Sequence, residues 1–363
     1  MHMARALELA AHGLNGTPPN PRVGCVIVQG GTVVGEGWHR QAGGPHAEAL
    51  ALQVAGERAR GATAYVSLEP CCHQGRTPPC TEALCKAGIR RVVYAAQDPN
   101  PQVNGGGGQA LRAAGMEVCS GLMAAESERL NAGFFMRMHL GRPLVRCKIA
   151  ASLDGRTALA DGRSQWITAG PARLDVQRLR AQSCALLTGI GTVLADDPLL
   201  NVRGLADDVS RQPLRVVLDS ALRTPPDARL LAVAGEVLVF GAAGTESRAA
   251  LETRGARVEL LAGADGRVDL AGVMQRLAAL QVNEVLVEAG PVLNGALLAA
   301  GLVDELIVYQ AAHVLGSTAR GMFEQPPLQA MEERPAFVLL EARHVGADLR
   351  LRYKPVLAGE RAD

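Results

Sequence analysis

Three short stretches of the chain carry side chains suited to a metal: His46-Ala47-Glu48, Pro70-Cys71-Cys72 and Pro79-Cys80. A catalytic zinc takes three protein ligands and keeps one position for water. His46, Cys71 and Cys80 supply such a set, and Glu48 follows one helical step beyond the first ligand. Zinc makes hydroxide available near neutral pH. A carboxylate beside that water can carry its proton to a leaving amine. The chemistry these residues suggest is therefore hydrolytic deamination.

His-x-Glu followed by Pro-Cys and a second Cys is the signature of zinc nucleobase deaminases, with the Glu as shuttle and not as ligand. The usual gap between the two cysteines is two residues. Here it is eight, and Gly75, Pro78 and Pro79 permit a bulge that returns Cys80 to a helix start. A helix start favours a thiolate. Cys72 competes with Cys71 as ligand and could complete a closed, structural zinc site. Pro70 directly before Cys71 favours Cys71. Cys25, Cys119, Cys147 and Cys184 sit in apolar, strand-like contexts and read as core, and Cys85 as packing.

These residues need elements to position them. Helical spacing covers residues 3–14, and Thr17-Pro18-Pro19-Asn20-Pro21 breaks it. Val23–Val28 and Thr32–Trp38 read as a hairpin about Gly30-Gly31. A helix follows over His46–Ala59, then strand Thr63–Ser67, helix Cys80–Ala87 and strands Val92–Ala96 and 116–118. Asn131 to Pro143 reads as a passage between domains. A second series offers strands Val145–Ala150, Ala185–Gly189, Arg215–Asp219, Val237–Phe240, Glu284–Glu288 and Glu305–Gln310. Its helices are Pro171–Ala181, Leu270–Leu280 and Val292–Ala300. Strands alternating with helices argue an α/β fold. Gly105–Gly108 reads as a flexible turn and not as a cofactor loop. The stretch from Gln325 onward carries no usable motif, and 356–363 reads as a frayed tail.

The length of 363 residues suggests two domains. Hydrophobic residues make up 48% and charged residues 20%, which argues against global disorder. The formal net charge of +1 and 3% aromatic content argue against a nucleic-acid partner. No apolar window is long enough for a membrane span, and the first 20 residues lack a signal-type core. A cytoplasmic location with reduced cysteines is expected.

The sequence closely resembles the bifunctional deaminase–reductase family of riboflavin biosynthesis. The match rests on Pro19-Asn20-Pro21-x-Val23-Gly24, on Gly44-x-His46-Ala47-Glu48, and on the run from Leu68-Glu69-Pro70-Cys71 to Cys80. It continues through Asp98-Pro99-Asn100-Pro101, Lys148-x-Ala150-x-Ser152-Leu153-Asp154-Gly155, Ser164-x-Trp166, Thr188-Gly189-x-Gly191-Thr192, Asp196-Asp197-Pro198 and Glu288-x-Gly290. The long Cys-to-Cys insert is itself a family mark.

The resemblance implies a cytidine-deaminase-like three-layer sandwich at 1–142, followed by a dihydrofolate-reductase-like α/β domain at 143–355. The first would hydrolyse the 2-amino group of a diamino-ribosylamino-pyrimidinone 5′-phosphate with one zinc. The second would use NADPH to reduce ribosyl to ribityl. Asn20, His39, His73 and Arg76 would line the deaminase pocket. Ala151, Trp166, Thr192, Asp196, Ser220 and the run Gly290, Pro291, Val292, Leu293, Asn294, Gly295 and Ala296 would contact NADPH. Ser164, Arg180, Leu200, Arg203 and Glu288 would contact the reductase substrate, with Lys148 or Glu288 assisting proton transfer. A homo-oligomer, in the form of a dimer, is expected, with Glu305–Gln310 as a candidate interface strand. The alternatives are a zinc deaminase of another nucleobase fused to an unrelated domain, and a structural zinc module.

Overall fold

The structure, a computed structural model, describes residues 1–74, 78–205, 211–244 and 246–356. It divides into two units, Met1–Arg142 and Pro143–Asp363. The first contains α1 (His2–Ala11), β1 (Gly24–Gln29), β2 (Thr32–Trp38), α2 (Ala47–Ala55) and β3 (Thr63–Leu68). It continues with α3 (Cys80–Lys86), β4 (Arg91–Ala96), α4 (Gly106–Ala113), β5 (Glu117–Ser120), α5 (Ala124–Leu130) and α6 (Ala132–Leu140).

The sheet order is β2-β1-β3-β4-β5, with β1 antiparallel to both neighbours and β3, β4 and β5 parallel. Strand β1 is apolar on both faces because both are covered. Val26 and Val28 pack with Met3, Ala6 and Leu9 of α1. Cys25 and Ile27 pack with Ala47, Ala51 and Ala55 of α2. Those alanines form one small-residue stripe at helical spacing, and α2 lies close on β2. A Cβ at Gly37 would sit 2.6 Å from the Ala47 carbonyl oxygen and the Ala51 nitrogen. This close seat fixes the helix that carries the His-x-Glu pair.

The second unit contains β6 (Leu144–Ser152), β7 (Arg156–Ala158), α7 (Gly170–Gln182), β8 (Ala185–Gly189), α8 (Ile190–Asp196) and β9 (Leu214–Leu218). It continues with α9 (Arg229–Ala232), β10 (Val237–Gly241), α10 (Glu246–Thr253), β11 (Ala256–Leu260), α11 (Leu270–Ala279) and β12 (Glu284–Val287). The last elements are α12 (Pro291–Ala299), β13 (Glu305–Ala311), β14 (Arg320–Gly321), β15 (Phe337–Val345) and β16 (Asp348–Pro355). The main sheet runs β11-β10-β9-β8-β12-β6-β13-β16-β15. From β11 to β13 every pairing is parallel, and β16 and β15 close the edge antiparallel. Continuous apolar runs such as Val285-Leu286-Val287 suit strands covered on both faces. The chain steps outward from β8 to β11, then returns to insert β12 between β8 and β6. A crevice for ligands forms at strand carboxyl ends where the order reverses in this way.

Four expectations gain detail or correction from the structure. Gly105–Gly108 is no loose turn: Gly105 caps α4, and the other three form its first turn. Asn131–Pro143 ends where the chain divides into its two units, and it is mostly helix α6, entered through Asn131, whose buried amide clamps the Arg22 backbone at both N–H (2.7 Å) and carbonyl (3.0 Å). Glu305–Gln310 is an interior strand between β6 and β16, so it is buried and offers no sheet edge. The stretch after Gln325 holds the β15–β16 hairpin; β15 is largely exposed, so its apolar pattern is too weak to announce a strand. The tail expectation falls, from residue 357 on, outside the described residues.

Candidate functional site

In the first unit the two helix starts and the loop after β3 converge. His46 caps α2, Cys80 is the first residue of α3, and Cys71 follows β3 by three residues. Their ligand atoms all lie within 4.8 Å of one another. His46 Nδ1 is 3.2 Å from Cys80 Sγ and 3.5 Å from Cys71 Sγ. The Cys80 N–H donates to Cys71 Sγ at 3.4 Å, and the Thr81 N–H to the Cys71 carbonyl at 3.2 Å. Hydrogen bonds from Cys80 and then His46 hold the Cys71 thiol well below its ordinary range, against burial. Cys71 and burial push the Cys80 thiol up.

Cys72 turns away. Its thiol faces the Gln102 carbonyl at 3.9 Å and the start of α4, where a Cβ at Gly106 would sit 3.0 Å from its sulfur. Among the described residues the donor set is one nitrogen and two sulfurs, which fits a zinc that keeps an open position. Glu48 is 3% exposed, and its carboxyl, within hydrogen-bond reach of Cys80, is pushed up to about 7, first by burial and then by Cys71. A group poised near neutrality is suited to passing a proton both ways.

Three of the four predicted pocket residues lie in the described structure. His39 donates from Nδ1 to the Pro45 carbonyl at 3.0 Å, and burial lowers its pKa, which favours the neutral ring. Its Nε2 then accepts from Asn20 Nδ2 at 3.0 Å. This bond leaves Asn20 Oδ1 as the acceptor the amide can present to a ligand. The His39 and His46 rings meet edge to face at 5.4 Å. His73 has a buried Nδ1 without a hydrogen-bond partner among the described residues. Arg76 lies outside the described residues.

In the second unit a charged cluster forms where β6, β12 and α7 meet. Glu288 accepts from Arg180 Nε at 2.6 Å and Nη2 at 3.0 Å, and Lys148 Nζ stands 3.7 Å from it. The Glu288 carboxyl is held down at about 2: burial alone would raise it, and the Arg180 and Lys148 charges outweigh that. Arg180 also donates to the Asn201 carbonyl at 2.9 Å, while Arg203 donates to the Asn201 side chain at 3.0 Å. Arg203 is exposed and retains donors for a ligand, whereas the buried Arg180 spends its fork on Glu288. Leu200 is 2% exposed with φ +44°, so it presents backbone and not side chain. Ser164 hydrogen-bonds Asp196, which burial pushes up.

The cofactor candidates divide by burial. Gly290 caps α12, and a Cβ there, or at Gly191, would meet nothing within 4 Å. Open space in front of a nine-residue helix start fits a phosphate-bearing cofactor. Pro291, Val292, Leu293 and Ala296 are at least partly exposed, as is Thr192. Asn294 and Gly295 are buried instead. The Asn294 amide bonds the Ala289 and Met322 carbonyls and the Cys147 thiol, and a Cβ at Gly295 would collide with the Glu324 carbonyl oxygen. Ala151 is also buried, and Ser220 Oγ accepts from the Val268 N–H at 3.2 Å. Trp166 is 68% exposed, with the Arg173 guanidinium 4.7 Å from its ring centre. Thr188 (whose hydroxyl donates to the Glu288 carbonyl at 2.7 Å) and Glu69 are read in the sequence only as motif positions without a role, and Asn201 is not singled out. Each lies inside or beside a motif, and its partners are brought to it only by the fold.

The profile of the cytidine and deoxycytidylate deaminase zinc-binding region matches residues 1–96, and that of the RibD C-terminal domain matches residues 143–351. The riboflavin biosynthesis protein RibD of Escherichia coli K12 is 53% identical over 96% of this chain and 97% of its own length. The chain belongs to the RibD family. The Haemophilus influenzae RibD is 46% identical, with 97% and 96% covered. Among solved structures, Acinetobacter baumannii RibD superposes with a TM-score of 0.92 at 47% identity over 98% of both chains. A Thermotoga maritima protein described as a diaminohydroxyphosphoribosylaminopyrimidine deaminase/5-amino-6-(5-phosphoribosylamino)uracil reductase superposes at 0.86, with 32% identity over 98% of both. As a RibD-family chain it is a bifunctional enzyme of riboflavin biosynthesis, a zinc deaminase domain followed by an NADPH-dependent reductase domain. Among its described residues no helix is long and apolar enough to cross a membrane.

Proposed function

We propose that residues 1–142 deaminate 2,5-diamino-6-ribosylamino-4(3H)-pyrimidinone 5′-phosphate, and that 143–355 then reduce the ribosyl chain of the product to ribityl. The observation that carries this reading is the convergence of His46, Cys71 and Cys80 beside the buried Glu48. These three side chains hold the zinc, which when bound supplies a water acidic enough to ionise near neutral pH. Glu48 takes the proton of the attacking water and returns it to the departing 2-amino group as ammonia. Asn20, fixed by the neutral His39, accepts from a ring N–H. His73, and Arg76 by its chemistry, serve the same pocket, the arginine as a phosphate fork.

In the reductase half NADPH supplies the hydride, and the protein aligns it. The α12 start with Gly290 to Leu293 takes a cofactor phosphate, with Asn294 and Gly295 supporting it from behind. Ala151, Trp166, Thr192, Asp196, Ser220 and Ala296 complete the cofactor site. Ser164, the Leu200 backbone and Arg203 hold the sugar phosphate, while Arg180 orients Glu288. Lys148, 3.7 Å from Glu288, is the donor that protonates the sugar oxygen as the ring opens. The chain works in the cytoplasm as a homodimer without nucleic acid. The exposed Val338, Leu339 and Leu340 on the free edge strand β15 support such pairing, and sedimentation of the purified chain as a monomer would remove it.

The decisive assay follows ammonia release and NADPH loss together on the zinc-loaded chain. Ammonia with or without NADPH, and NADPH consumed only after deamination, is the expected pattern. Absence of both signals would overturn the substrate assignment.

A further inference from the structure

Cys71 is the one zinc ligand that lies on a loop and not at a helix start, so something else must fix it. The residue two before it is Glu69, a carboxylate only 3% exposed. Its Oε2 accepts from the Gly105 N–H at 2.9 Å and the Asp98 N–H at 3.2 Å, and its Oε1 accepts from the Gly108 N–H at 2.9 Å. Two of those three donors belong to the start of α4, which runs for eight residues. The helix-terminal donors that usually await water or a cap are met here by a side chain from the metal-binding loop.

The glycines of this helix start make the approach possible. A Cβ at Gly107 would collide with the Pro70 carbonyl oxygen and stand 3.2 Å from Glu69 Oε1. One at Gly106 would sit 3.0 Å from Cys72 Sγ. The α4 turn therefore touches Glu69, Pro70 and Cys72, the residues on either side of the ligand. Cys71 itself is held by the Cys80 and Thr81 N–H groups at the start of α3. Two helix starts thus grip one short loop, α3 through Cys71 and α4 through its flanks.

We propose that Glu69, seated in the Gly105–Gly108 turn, is the positioning residue that sets where the Cys71 sulfur lies, and hence how tightly and in what geometry the deaminase domain holds zinc. Glu69 touches neither metal nor substrate and acts through the backbone of Pro70 and Cys71. Groups that orient a ligand in this way change metal affinity by roughly 10- to 100-fold when altered. The inference rests on the zinc reading of His46, Cys71 and Cys80. It goes beyond that reading by giving the glycine tract and Glu69 a shared task.

The test uses the full chain and compares the native protein with E69Q, G107A and the control Q109A, an exposed change on the same helix. Three readouts are taken: zinc retention against a graded chelator, the visible spectrum of the cobalt-substituted protein, and thermal unfolding. In E69Q an amide N–H₂ replaces one acceptor oxygen and confronts a backbone N–H. Zinc loss at roughly ten-fold lower chelator and a weakened or displaced cobalt–thiolate spectrum are expected in E69Q and G107A, with Q109A native on both counts. A lowered melting temperature with native zinc retention and native cobalt spectrum would overturn the proposal, because Glu69 would then serve the fold alone. So would failure of both variants to fold in saturating zinc. Should the native chain bind neither metal, the zinc reading itself would fail, which is a separate outcome from equal binding by native and variant.

Discussion

The two sites of this chain are built on opposite plans. The proposed deaminase site gathers three side chains able to ligate a metal, and one carboxylate, from two helix starts and one loop. The proposed reductase site is spread over the carboxyl ends of β6, β8 and β12 and over loops between residues 148 and 296. Much of it is backbone, open space and a shared charge cluster. A metal demands particular atoms at particular distances. A hydride donor brings its own reactivity and asks only to be held. Single changes should therefore silence the first site outright and only weaken the second.

The sharpest break is Glu48→Gln. It keeps the shape and removes the proton carrier, so ammonia release should fall by about a thousand-fold or more. NADPH oxidation with the already deaminated compound should stay native. An unchanged ammonia rate would show that another group moves the proton. Cys80→Ser comes next and acts through the metal. Bound zinc, measured by elemental analysis, should drop well below one per chain, and deamination should fall with it.

Glu288→Gln tests the second plan. It strands Arg180 and Lys148 without their carboxylate, and breaking such a buried cluster costs about 3–5 kcal/mol. Reductase turnover should fall by roughly 10- to 100-fold while ammonia release holds. Unchanged turnover would remove Glu288 from the reaction. The same cluster has a pH signature. Its carboxyl is held at about 2, below the ordinary 4.5. The stabilisation is thus fully present above pH 4.5 and lost as pH falls toward 2, amounting to about 3 kcal/mol. Unfolding of the native chain should steepen in that window relative to E288Q, and parallel curves would contradict the assignment.

The contrast also explains what the sequence disclosed. His46, Cys71 and Cys80 are legible because histidine and cysteine are rare in this chain, and Glu48 because it stands in a fixed pattern beside His46; strand Thr32–Trp38 follows from its glycine turn and Ala185–Gly189 from its apolar run. Glu69 is not legible, because its role depends on a helix start more than thirty residues away. The glycine tract misleads for a related reason. Glycine signals a turn, yet Gly106–Gly108 are helical and glycine only because the Pro70 carbonyl, Cys72 and the Tyr94 hydroxyl leave no room for a side chain. In the reductase half the sequence marks the run from Gly290 to Ala296 as one block, and only helical geometry separates the open Gly290 and Val292 from the buried Asn294 and Gly295. The β15–β16 hairpin is hidden by exposure, since β15 is only thinly covered and shows no clear alternation.

The smallest effect belongs to the most exposed part of the second site. Trp166 stands 68% exposed, and within the structure it is steadied by Arg173 stacking on its ring at 4.7 Å. A stacked pair at so open a position contributes about 0.5–1 kcal/mol. Arg173→Gln removes the stack and leaves the indole free to swing, so the KM for NADPH should rise about two- to five-fold with kcat unchanged. Trp166→Leu removes the contact face itself and should raise KM further. If Arg173→Gln lowers kcat and leaves KM alone, the pair shapes the reacting geometry and not cofactor binding. The reductase site would then be as tightly tuned as the zinc site, and the contrast drawn between them would fail at its weakest point.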